Sequence, residues 1–162
     1  MQYVIRQMTP GDADGKGYVH WKSWQETYPG LIDAGYLSSL TLEKCQEIAH
    51  NWPENTIVAE LGGKGVGFSC YCPCRDANTV DCGEVQAIYV LKEAQGLGIG
   101  RALMDAAIAN LNGCTDIILW VLQGNDHAIG FYEHCGFRFD GVCAPITLGT
   151  PNTELRMVYH RI

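Results

Sequence analysis

Gln95-Gly96-Leu97-Gly98-Ile99-Gly100 joins the strand-like run Glu84-Val85-Gln86-Ala87-Ile88-Tyr89-Val90 to a helical run from Ile99 to Asn112. Glycines in such a turn let backbone N–H groups face inward as an anion cradle, and the helix that follows adds its positive dipole end. A pyrophosphate fits this description. So does a plain strand-to-helix turn that uses glycine for shape alone, so the flanking sequence has to decide between them. A dinucleotide fingerprint needs G-x-G-x-x-G, whereas the glycines here are 96, 98 and 100. A P-loop needs a closing Lys-Ser or Lys-Thr pair, and Gly100-Arg101-Ala102 supplies neither.

The helix that opens at Ile99 carries Arg101, Asp105 and Asn112 on a polar side, while Leu103, Met104, Ala106, Ile108 and Leu111 demand burial against a sheet. Gly113 stops it, Ile117 to Leu122 reads as a buried parallel strand, and Asn125 caps a short helix that runs to Cys135 before Gly136. Strands near Phe137 to Phe139 and Leu155 to Tyr159 follow. Upstream, Tyr3 to Met8 alternates like an opening strand, and Thr9-Pro10-Gly11-Asp12 turns the chain into a helix from about Asp14. Trp21, Trp24, Gln25 and Tyr28 share a face of that helix, and Pro29-Gly30 ends it. Thr41 to Trp52 is a second helical pattern with Leu42, Cys45, Ile48 and Ala49 at helical spacing. Thr56 to Leu61 and Val66 to Cys72 form a hairpin around Gly62-Gly63-Lys64-Gly65, and a polar link from Arg75 to Asp81 leads to the central strand.

The chain has 162 residues, 47% apolar and 18% charged, which predicts one domain over 1–162 with a single core and no need of metal or disulfide for folding. Net charge is −7, from 18 acidic and 11 basic residues with no block of like charge, and this excludes a phosphate-tracking nucleic-acid surface. The N-terminal stretch lacks a signal-peptide pattern, and no run reaches membrane-spanning length. A cytoplasmic protein is expected, and its eight cysteines then read as reduced thiols. Cys70, Cys72 and Cys74, with Cys82, allow either a thiol-rich metal module or ordinary core residues. The C-x-C-x-C spacing puts successive sulfurs on one face of an extended strand, which is awkward for tetrahedral closure, and no metal is expected.

The run from Gln95 to Leu103 resembles the Q/R-x-x-G-x-G/A signature of the GNAT superfamily of N-acyltransferases. Asn125-Asp126-His127-Ala128 with Phe131-Tyr132-Glu133-His134-Cys135-Gly136-Phe137 resembles its second signature, N-x-x-A-x-x-F-Y-x-x-x-G-F, and together the two cover about 84–139. The resemblance implies an α/β fold: a mixed sheet of about six to seven strands, splayed after the fourth and flanked by about four helices. The acceptor side would be about 1–83 and the acyl-CoA side about 84–139. It implies acetyl-CoA as cosubstrate, bound through backbone groups of Ile88, Tyr89 and Val90, with the N–H groups of Gln95, Gly96, Gly98, Gly100 and Arg101 on the pyrophosphate and Asn125 beside them. Lys92 and Arg101 are either phosphate partners or solvated surface charges.

Acetyl transfer to a primary amine needs a neutral amine, stabilisation of the oxyanion and a proton for the thiolate. The resemblance assigns that proton to Tyr132, which as a bare residue reads equally as a packing aromatic. Glu84 and Gln86 alternate along the central strand and so share a face, and Glu84 alone of the two can take a proton. A covalent route through Cys135 is the minor alternative, since the adjacent His134 points elsewhere on a helix. Trp24, Glu26 and Tyr28 are the candidate acceptor contacts, from a crowded aromatic region that also includes Trp21 and Tyr36 and reads as core just as well. The acceptor is a small-molecule or protein amine, with no nucleic acid or membrane partner, and a homodimer is compatible with the family. The rival reading is an acyl-CoA-binding regulatory domain without turnover.

Overall fold

The computed structural model describes residues 2–74 and 81–161. All of the expected Arg75 to Asp81 link except Asp81 lies outside the described residues. Seven strands form one mixed sheet: β1 (Tyr3–Gln7), β2 (Thr56–Leu61), β3 (Lys64–Pro73), β4 (Cys82–Val90), β5 (Asp116–Leu122), β6 (Arg138–Leu148) and β7 (Thr150–His160). Their order is β1-β2-β3-β4-β5-β7-β6. The helices are α1 (Ala13–Thr27), α2 (Ala34–Ser39), α3 (Leu42–Asn51), α4 (Ile99–Asn110) and α5 (Asp126–His134). Among the described residues no helix is long and apolar enough to cross a membrane.

Local chemistry explains most of the boundaries. The Thr41 hydroxyl caps α3 by accepting from the Lys44 N–H, and the Asn125 side chain caps α5 by accepting from the Ala128 N–H. Asp33 caps α2, a six-residue helix that the sequence pattern did not announce. The first hairpin turns on Gly62 and Gly63 alone, both at positive φ, so Lys64 and Gly65 are already strand.

Alternation along β3 assigns the two faces of the sheet. Phe68 meets His20 and Lys16 of α1. Its neighbours Gly67 and Ser69 meet Leu103 of α4, the Ser69 hydroxyl donating to the Leu103 carbonyl at 3.1 Å. α1, with α3 against it, therefore covers one face and α4 the other. Ile99, Leu103, Met104 and Ala107 of α4 are fully buried with Ile117, Leu119, Phe137 and Met157 in the main core.

Two features of β4 shape the middle of the molecule. Cys70 of β3 pairs with Ala87 and Tyr71 with Val85, so Gln86 is an extra residue in a β-bulge. β4 then pairs with β5 only from Cys82 to Glu84, opposite Asp116 to Ile118. Beyond Glu84 the two strands separate, β5 continuing alongside β7 as far as Leu122. The bulge also breaks the shared face expected for Glu84 and Gln86: Glu84 is buried and Gln86 exposed.

β6 and β7 are eleven residues each, much longer than the short strands expected near Phe137 and Leu155. Gly141 and Pro145 fall within β6. β6 is an edge strand, where proline and a bulge between Phe139 and Cys143 are tolerated.

Candidate active site

A cavity of about 800 Å³ fills the wedge between β4 and β5, a volume within the usual range for a small-molecule site. One side is the free stretch of β4 from Val85 to Val90, the other is Leu119 to Leu122 of β5. Because β4 has no β5 partner there, its backbone N–H and C=O groups on that edge are open to an extended, amide-bearing ligand. Ile88, Tyr89 and Val90 belong to this stretch and line the cavity.

The glycine turn closes one end. Gly96 and Gly98 hold φ of 81° and 85°, a left-handed backbone that L side chains avoid, and Gly98 is the N-cap of α4. Gly100 serves a different purpose, since a Cβ there would lie 3.2 Å from the ring of Phe131 on α5. Gln95 folds its side-chain amide back onto the Val90 carbonyl at 3.1 Å, pinning the turn to the end of β4. The first N–H groups of α4 have no intrahelical acceptors and, with the helix dipole, give this end the polarity that suits an anion. The exposed Arg101 guanidinium pairs with Asp105 at 3.1 Å, which raises its pKa further.

The remaining walls come from α5 and α1. Asn125, Phe131 and Tyr132 line the α5 side with Asp126, His127 and His134. Tyr132 packs between Phe131 and Phe137. Burial, reinforced by Tyr28 and Cys135, pushes its phenol well above the ordinary value, so it keeps its proton at any physiological pH. Cys135 is buried, does not line the cavity, and burial raises its thiol too, which disfavours the thiolate a covalent route needs.

On the α1 side Tyr28 reaches the cavity, whereas Trp24 and Glu26 do not. Trp24 stands behind the wall, its indole N–H donating to the Tyr89 hydroxyl at 3.0 Å and its ring edge-on to Tyr28 at 4.7 Å. Tyr28, Tyr89 and Tyr132 influence one another electrostatically, and burial raises all three phenols. Glu26 accepts from the Lys92 N–H at 3.2 Å, which engages its carboxylate with the chain just beyond β4. Glu84 is only 2% exposed, beside the paired part of β5, and the cavity wall passes it by.

Cys70, Cys72, Cys74 and Cys82 do not line the cavity, although Cys70 pairs with Ala87, which does. Cys74 and Cys82 are opposed at the end of the β3–β4 pair, the Cys74 N–H donating to the Cys82 carbonyl at 2.9 Å, and burial pushes the Cys82 thiol up to about 12. Among the described residues no group of three or more His, Cys, Asp or Glu is placed to hold a metal ion.

Sequence reasoning missed Ser23, Thr27, Gln86 and Trp120, all of which line the cavity. Ser23 and Thr27 are one turn apart on the stripe that ends in Tyr28, a polar interruption of an aromatic face that could have flagged them. Gln86 and Trp120 face the cavity because the strands diverge, and local pattern carries no sign of that.

Residues 18–137 match the profile described as the Acetyltransferase (GNAT) family. A probable N-acetyltransferase of Mycobacterium tuberculosis is 28% identical over 144 residues, which covers 85% of this chain and 80% of that protein. A mycothiol acetyltransferase of Geodermatophilus obscurus is 39% identical over 67 residues, but this spans 40% of this chain and 22% of the relative. Among solved structures, the PaiA N-acetyltransferase of Thermoplasma acidophilum in complex with coenzyme A superposes with a TM-score of 0.77 at 20% identity, covering 99% of both chains. YncA of Salmonella typhimurium with acetyl-CoA superposes with a TM-score of 0.74 at 16% identity, covering 99% of this chain and 94% of that one.

Proposed function

Because the chain belongs to the Acetyltransferase (GNAT) family, we propose that it moves an acetyl group from acetyl-CoA to a primary amine by direct attack within a ternary complex. The observation that carries this reading is the divergence of β4 from β5 after Glu84, which leaves an open strand edge in one cavity with the glycine cradle and Tyr132. The cradle suits a pyrophosphate, the free edge of Ile88 to Val90 suits the amides of a pantetheine arm, and the two lie in one cavity.

Acetyl-CoA supplies an activated thioester carbon. The amine lone pair forms the new C–N bond, the C–S bond breaks with its electron pair on sulfur, and Tyr132 gives its proton to that sulfur. The phenol is reprotonated from solvent afterwards. A β4 backbone N–H near Ile88 meets the oxyanion, a donor already in place before reaction. The proton lost by the amine passes to water and then to Glu84, which, lying outside the cavity wall, acts only through that water. Asn125 holds the first turn of α5 so that Tyr132 faces the wedge, and Trp24 does the same for Tyr28 and Tyr89 from behind.

Thiol release from acetyl-CoA across a panel of primary amines tests the reading, with Tyr132→Phe under the same conditions. Turnover that depends on one amine class and falls about 100-fold in the variant is expected. Tight acetyl-CoA binding with no turnover on any amine would instead favour a cofactor-sensing domain.

A further inference from the structure

The cavity is open to both faces of the sheet. Its cradle and α5 wall lie on the α4 side, where Gly100 touches Phe131, while Ser23, Thr27 and Tyr28 belong to α1, which covers the opposite face. The cradle proposed for the pyrophosphate is on the first side, and the β4 edge proposed for the pantetheine arm runs between the two faces. The α1 wall is left for the acceptor.

Ser23, Thr27 and Tyr28 line that wall, and the Ser23 Oγ is itself closed off, so that a rotation about χ1 is what would turn it into the cavity. Ser23 is 4% exposed, and its Oγ has no hydrogen-bond partner among the described residues, although a serine inside a helix can ordinarily rotate onto the carbonyl four residues back. A buried, unsatisfied hydroxyl is costly unless something completes it. Thr27 lies one turn further along the same wall, and the Tyr28 phenol beside it stays neutral because burial raises its pKa. The Asp and Arg residues that line the cavity among those described, Asp126 and Arg101, are on α5 and α4. A charged group pressed against hydroxyls alone would be desolvated without a counter-charge, whereas a neutral oxygen is matched by them.

We propose that Ser23 is an acceptor-recognition residue, its hydroxyl donating to a neutral carbonyl or hydroxyl oxygen carried next to the amine that is acetylated. The inference rests on the acetyltransferase reading. It selects amines of the amide-bearing or hydroxyl-bearing kind over those whose neighbour is a carboxylate or a bare hydrocarbon.

The test compares wild type and Ser23→Ala on alaninamide and isopropylamine, each amine being compared between the two proteins so that its basicity cancels. Ser23→Ala is expected to lower kcat/KM for alaninamide by roughly threefold to tenfold, the loss of one neutral hydrogen bond, through KM. Turnover of isopropylamine and the Kd of acetyl-CoA stay unchanged. The unliganded variant melts no lower than wild type, since alanine favours the helix and removes an orphan hydroxyl. A raised acetyl-CoA Kd, an equal loss on both amines, a lower melting temperature, or no wild-type turnover of alaninamide overturns the proposal. Failure of wild type to bind acetyl-CoA at all would sink the acetyltransferase reading instead.

Discussion

A Cβ added to Gly100 would sit 3.2 Å from both Cε1 and Cζ of Phe131, so the two halves of the sequence signature touch in space. The third glycine of the cradle is what lets the N-terminus of α4 approach α5. An alanine there pushes on a ring that also packs 5.6 Å from Tyr132, centroid to centroid. Gly100→Ala is expected to cost ~1–2 kcal/mol in urea unfolding. Phe131→Leu combined with it should cost less than the sum of the single changes, because the smaller side chain relieves the overlap. Strict additivity would mean that the contact is not what requires glycine.

As the proposed acid, Tyr132 predicts a pH profile as well as a rate. Burial lifts its phenol, so the protonated, proton-donating form persists beyond the pH at which a free tyrosine ionises, about 10. The kcat of wild type should show no alkaline decline from loss of this acid up to pH 10. A decline centred below that value, present in wild type and absent in Tyr132→Phe, would contradict the environment described for the residue.

Local chemistry made much of this legible before the fold was seen. Gly96 and Gly98 suit a left-handed turn, and Asn125 followed by an apolar run suits a helix start, so the turn and α5 could be placed from residue type and spacing, whereas the reading of the turn as a pyrophosphate cradle came from the family resemblance. The aromatic run of α1 announced a packed face but not its partners. Glu26 lies against Lys92, 66 residues away, and no pattern along the chain predicts that contact. The bulge at Gln86 was equally invisible, since it is a mismatch between strands and not a feature of either. It separates Glu84 from the cavity that its alternation with Gln86 had promised.

His20 predicts an acid-sensitive stability. Its ring stacks on Tyr89 and meets Trp24 and Phe68 edge-on, and burial, helped by Lys16, lowers its pKa to about 4. The unfolded chain takes up this proton near 6.5, so between those values the unfolded state binds more protons and stability falls as pH falls. A loss of ~2 kcal/mol from this residue is expected between pH 7 and pH 4, read by urea unfolding. His20→Phe, which cannot be protonated, should flatten that part of the curve. A curve of unchanged slope in the variant would assign the acid sensitivity to other groups.

Glu84 poses the sharpest question about the proton taken from the amine. It is 2% exposed, opposite Ile118 on the last paired segment of β4, while Gln86, beyond the bulge, lines the cavity. As the proposed base acting through water, Glu84 predicts that Glu84→Gln, which preserves shape and one acceptor oxygen, lowers kcat/KM at pH 7 by about 100-fold. If the carboxylate serves packing alone, the same variant instead lowers the unfolding free energy and leaves kcat/KM in place. Measuring both quantities on one preparation separates the roles, because a base need not stabilise the fold and a structural carboxylate need not touch the rate.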